Sequence, residues 1–81
     1  MDRAQRILRI NLPRGEVAIE VKGSGQIHTP DLHPLKAFIQ DYRPQKAFLV
    51  CNERRQRLHD KITIIPWSDF LSKLWDGEIL A

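Results

Sequence analysis

The sequence predicts a small α/β domain: a mixed four-stranded sheet with two helices, in the order β-β-α-β-β-α. Three observations carry this reading. Alternating apolar residues recur at a period of two in residues 7–22, as in half-buried strands. Two amphipathic segments, 32–43 and 67–75, repeat instead at helical spacing. The chain of 81 residues has room for one domain, taken here as 1–81.

The first strand is Leu8–Leu12, with Leu8, Ile10 and Leu12 on one parity and Arg9 and Asn11 on the other. Pro13-Arg14-Gly15 reads as a turn. In the second strand Val17, Ile19 and Val21 share one face, and Ala18, Glu20 and Lys22 share the other. The short connection makes these two a hairpin. Gly23-Ser24-Gly25 is a joint, and Asp31 is placed to cap the helix that follows. Leu32, Leu35, Phe38, Ile39 and Tyr42 form the core-facing stripe of that helix, and Pro44 ends it. Ala47–Cys51 is uniformly apolar, as in a central strand buried on both faces. With a helix between them, it should run parallel to Val17–Lys22. Asn52–Asp60 is polar and basic and reads as a loop or a frayed extension. Ile62–Ile65 is the expected far-edge strand. The final helix should pack Trp67, Phe70, Leu71, Leu74 and Trp75 on the sheet, or leave one tryptophan at a contact between copies, before Gly77 breaks it.

Composition excludes several classes. Hydrophobic residues make up 42% of the chain and charged residues 28%, which is too apolar for a disordered polyelectrolyte. No run approaches the roughly 18 apolar residues of a membrane span. The N-terminus lacks an apolar signal core, and the single cysteine, Cys51, cannot pair internally. A reduced, cytoplasmic setting is the expectation. The net charge is +3. Arg9 and Arg14 in the first hairpin, and Arg54, Arg55 and Arg57 in the basic loop, are the candidate phosphate-contacting residues. So small a core also favours association, and a homodimer is the expected state. DNA or another protein is the alternative partner.

Glu20-Val21-Lys22 is the sharpest local feature. Two residues apart on a strand, the carboxylate and ammonium face one side. Glu20 is the candidate Mg²⁺ ligand, and Lys22 could stand against a scissile phosphate or a metal-bound water. The ordinary alternative is a solvated ion pair of about 0–1 kcal/mol, with Glu20 a surface carboxylate. His28 and His33 flank Asp31, but no cysteine stands near them in sequence to complete a zinc site. Cys51 reads as a core residue.

Four separate segments resemble a known family. They are Ile19-Glu20-Val21-Lys22-Gly23-Ser24-Gly25, Asp31-Leu32 with Leu35-Lys36-Ala37-Phe38, Ala47-Phe48-Leu49-Val50, and Ile64-Ile65-Pro66-Trp67-Ser68-Asp69-Phe70-Leu71. Together, over residues 16–75, they resemble the C-terminal nuclease-like domain of bacterial and archaeal AAA-type ATPases. The resemblance implies a PD-(D/E)XK, restriction-endonuclease-like core, here truncated. It also implies catalysis through Glu20 and Lys22 with Mg²⁺ if the domain is active. The ATPase module is missing, since the sequence has no phosphate-binding Gly-x-x-x-x-Gly-Lys-Ser/Thr loop. In active members of that superfamily a metal-binding aspartate sits across the hairpin from the Glu-x-Lys strand. The corresponding Arg6–Ile10 segment has no acidic residue. Glu16 stands about 13 Å from Glu20 along the strand, too far to share one ion, which leaves Asp2 as the other upstream carboxylate. The expectation is therefore a catalytically inactive domain that binds a partner or dimerises, with no cofactor. A nucleic-acid-binding domain that has lost catalysis is the first alternative, and a metal-dependent nuclease the second.

Overall fold

A computed structural model describes residues 7–80. The elements are β1 (Ile7–Leu12), β2 (Gly15–Val21), a 3₁₀ turn (Thr29–Leu32), α1 (His33–Tyr42), β3 (Lys46–Cys51), β4 (Arg57–His59), β5 (Ile62–Pro66) and α2 (Trp67–Trp75). They build one five-stranded mixed sheet in the order β1-β2-β3-β5-β4. The β1–β2 and β4–β5 pairs are antiparallel, and β2–β3 and β3–β5 are parallel. The expected parallel pairing of the second and third strands is present, with Ile19 beside Phe48.

The sheet has five strands where four were expected. Residues 57–59 form β4, so β5 is interior and not the far edge. The cause is a two-residue reversal at Asp60-Lys61, which sets His59 beside Ile62. Asp60 takes the left-handed conformation (φ 54°) that aspartate tolerates in such turns. No buried apolar residue announces this strand: Arg57 and Leu58 are exposed, and it is held by main-chain pairing with β5 and by the Arg57 side chain.

The first helix also begins later than its cap suggested. Asp31 lies in the 3₁₀ turn, where its Oδ2 accepts the His28 N–H at 2.8 Å. The α-helix proper starts at His33, with Pro34 in its first turn. Arg43 ends it in the left-handed region, donating its N–H to the Ile39 carbonyl.

Two apolar layers cover the sheet. Ala18, Leu49, Ile62 and Ile64 pack with Leu32 and Leu35 beneath the first helix. Val17, Ile19, Phe48, Val50 and Ile65 pack with Phe70 and Ile79 on the other face. Cys51 is buried, as expected of a core residue.

The second layer is thin. Phe70 is the one buried residue of α2, in an edge-on contact with Phe48, ring centroids 5.8 Å apart. Trp67 (46% exposed), Leu71 (51%), Leu74 (37%) and Trp75 (92%) do not pack on the sheet as expected. The apolar arc of α2 is wide, and its rotation presents one margin inward. Leu8 and Val21 are also exposed on this side, because no helix covers the β1–β2 hairpin there.

Candidate functional site

The β2 strand delivers Glu20 to the α1 side of the sheet, between Ile7 of β1 and Leu49 of β3. A strand flanks it on each side and a helix layer covers that face, so its side chain is fully buried. This corrects the expectation of a surface carboxylate. Burial raises the Glu20 pKa above the usual carboxylate value; the Lys22 charge opposes the rise and the Asp31 charge adds to it.

Lys22 lies just past the end of β2, where its N–H extends the ladder by donating to the Val50 carbonyl at 2.8 Å. The following loop is stitched to the end of β3. Asn52 donates its N–H to the Ser24 carbonyl (2.9 Å) and its side-chain amide to the Gly23 carbonyl (3.2 Å). Ile27 then anchors the loop in the core. The chain so returned brings Asp31 back over the strand end, with Oδ1 3.4 Å from Lys22 Nζ. Hydrogen bonding from the His28 N–H, with help from Lys22, holds the Asp31 pKa down.

Glu20, Lys22 and Asp31 therefore gather at the carboxyl end of the parallel strands β2 and β3, the usual position for sites on open α/β sheets. Two of the three were named from the sequence. Asp31 was read as a helix cap, and the second carboxylate was sought upstream. The signal for it was its place at the first turn after the strand, across the Gly23–Gly25 joint. On the β1 side, the described positions sharing the Glu20 face are Ile7, Arg9 and Asn11, none acidic. Glu16 pairs with Arg9. Asp2 lies outside the described residues. Among the described residues no three His, Cys, Asp or Glu side chains gather to hold a metal ion, and His28 and His33 are both exposed.

The sheet order separates the five arginines. Arg9 and Arg14 belong to the β1 edge, while Arg54, Arg55 and Arg57 lie at or near the β4 edge. Arg9 lies over the rings of Phe38 and Tyr42, 5.2 and 4.2 Å from their centroids, besides pairing with Glu16. Arg57 closes a tether. Its guanidinium donates to both Glu53 oxygens at 3.0 Å and to the Ile27 carbonyl at 2.9 Å, while Glu53 accepts the Ile27 N–H at 2.7 Å. Arg14, Arg54 and Arg55 remain exposed. Arg57→Ala should cost about 1–2 kcal/mol in urea unfolding at neutral pH. Arg57 holds the Glu53 pKa down, so that contribution exists above the ordinary glutamate range and is lost as pH falls through the Glu53 value in the folded protein.

No family model, curated protein or solved structure matches this chain.

Proposed function

We propose that this is a nuclease-like scaffold without catalytic activity that works as an interaction module, joining two copies of itself through α2. The observation that carries the reading is the exposed apolar stripe of Trp67, Leu71, Leu74 and Trp75. Exposed apolar area concentrated on one helix marks a contact surface more than a solvated one, and tryptophan is the residue most enriched at the energetic centres of interfaces.

The spacing of the stripe favours a second copy as the occupant. A two-fold interface must be self-complementary, each residue meeting its counterpart in reverse order. Trp67 stands four residues before Leu71 and Trp75 four after it. Antiparallel packing of two α2 helices about Leu71 sets each Trp67 against the partner's Trp75. The helix dipoles then oppose, which is the favourable arrangement. Sedimentation equilibrium at about 100 μM, well above a micromolar dissociation constant, should report a dimer. A stable monomer at that concentration ends the proposal.

Asp31 favours a second reading, a metal-dependent phosphodiesterase. Mg²⁺ is commonly held by one or two carboxylates together with waters and substrate phosphates. Glu20 and Asp31 would be its ligands, and the ion would supply charge stabilisation at a scissile phosphate. Lys22 would orient the phosphate. Burial weighs against this role, because the raised Glu20 pKa disfavours the charged form a hard cation requires. Supercoiled plasmid, single-stranded DNA and RNA incubated with Mg²⁺ or Mn²⁺ should remain intact. Cleavage lost in Glu20→Ala, Lys22→Ala and Asp31→Ala would establish the second reading in place of the first.

A further inference from the structure

At the other end and on the other face of the sheet, a pocket of about 360 Å³ opens between β3, β5 and the turn after α2. Lys46, Lys61 and Lys73 all line it. Lys46 shares the strand parity of Phe48, and Lys61 that of Thr63, and Phe48 and Thr63 are neighbours in the parallel register. Carried back along the two strands, that register sets Lys46 beside Lys61. Lys73 descends from the last turn of α2. Gly77, with φ 81°, then turns the chain so that Glu78 returns over the pocket. The Glu78 carbonyl accepts from Lys46 Nζ at 3.0 Å, and its Oε1 lies 3.4 Å from Lys73 Nζ.

This arrangement concentrates positive charge at one opening. Lys46 at the start of β3 and Lys61 in the turn before β5 are like charges held beside one another, and such neighbours repel. Three ammonium groups share one pocket carboxylate, Glu78. Asp60, next to Lys61 in sequence, pairs instead with Lys36 at 3.3 Å and lines a second pocket, which Lys61 also borders. Thr63 and the amides of Gln45 and Gln56 add neutral hydrogen-bonding groups to the lining.

We propose that this pocket binds a terminal phosphate group, as carried by a nucleoside monophosphate or by the 5′ end of a nucleic-acid strand. The surplus of two positive charges matches a phosphate monoester dianion better than a singly charged internal diester. A volume of this size lies within the range of small-ligand pockets. Lysine suits the task as a mobile point charge for phosphate. The site does not depend on self-association, because Lys73 lies on the flank of α2 away from Trp67, Leu71 and Trp75.

Amide-resolved NMR titration tests the proposal with four probes: inorganic phosphate, adenosine monophosphate, and a short oligothymidylate with a 5′-phosphate or a 5′-hydroxyl. Phosphate and the monophosphate should shift the amides of Lys46, Lys61, Thr63 and Lys73. Lys61→Gln, whose side chain holds no part of the tail, should weaken binding about tenfold, the effect of losing about 1.4 kcal/mol, with the spectrum otherwise unchanged. A response to the 5′-phosphorylated oligomer but not the 5′-hydroxyl one identifies a strand end as a source. A response to the monophosphate alone identifies a free nucleotide. No shift with either phosphate or the monophosphate overturns the proposal. So does an equal response to both oligomers, or unchanged binding in Lys61→Gln.

Discussion

Leu71→Asp should convert a dimer at about 100 μM into a monomer, raising the dissociation constant at least about 100-fold. Leu71 sits at the centre of the proposed two-fold contact, so each dimer meets the substitution twice. Both new carboxylates would lie in an apolar surround without cationic partners, and burying an unpaired charge costs several kcal/mol. The fold should survive, because the Leu71 side chain is exposed and Phe70 alone anchors α2 to the sheet. Circular dichroism of the variant checks that. Trp75→Ala should weaken the dimer as well, through lost aromatic contact with Trp67 of the other copy. A charge placed at Gln40 on α1, outside the stripe, should leave the assembly unchanged. Dimerisation that survives Leu71→Asp would remove α2 as the interface.

Glu20→Gln should stabilise the protein at neutral pH by about 1–3 kcal/mol, the size of the desolvation cost of one buried polar group. The sign follows from the raised pKa. Between the ordinary glutamate value and the higher folded value, the native state keeps a proton that the unfolded chain has released. Stability therefore falls as pH rises through that window, and above the folded value the penalty is complete. Glutamine has nearly the same shape and never ionises. The gain should be absent below about pH 4.5, where the parent is protonated in both states, and should grow as pH rises through the window above it. Urea denaturation of both proteins across pH 4 to 8 checks it. A variant less stable than the parent at pH 7 would mean that the ionised carboxylate is held by compensating contacts, and would favour the metal-binding reading.

Asp31 has the opposite slope. Its pKa is lowered by the His28 N–H and by Lys22, so its contribution is present above the ordinary aspartate range and is lost as pH falls through its folded value. The same site thus holds one carboxyl group biased toward its neutral form and one toward its charged form. They differ because Glu20 points into a covered sheet, while Asp31 sits on a partly open turn with an N–H and an ammonium facing it.

Local pattern determined the β1–β2 hairpin, a helix read over 32–43, a central strand read at 47–51 and the helix over 67–75. Each depends on a local pattern of apolar residues, periodic in the hairpin and helices and unbroken in the central strand, that the chain carries wherever it folds. The parallel pairing of β2 with β3 was legible too, since a helix between two strands forces a crossover. Tertiary structure decided the rest. β4 exists because a two-residue turn returns an otherwise polar segment against β5, and its pairing uses main-chain atoms that side-chain patterns do not report. The depth of Glu20 depends on which helix covers which face of the sheet, and alternation cannot distinguish a polar residue under a helix from one in water. Asp31 meets Lys22 only because the loop is sewn to the end of β3 by Asn52 and anchored by Ile27. Finally, the rotation of α2 about its axis decided which margin of its apolar arc met the sheet. A broad arc has no single inward residue in sequence, so contact with Phe48 selected Phe70 and left both tryptophans exposed to solvent.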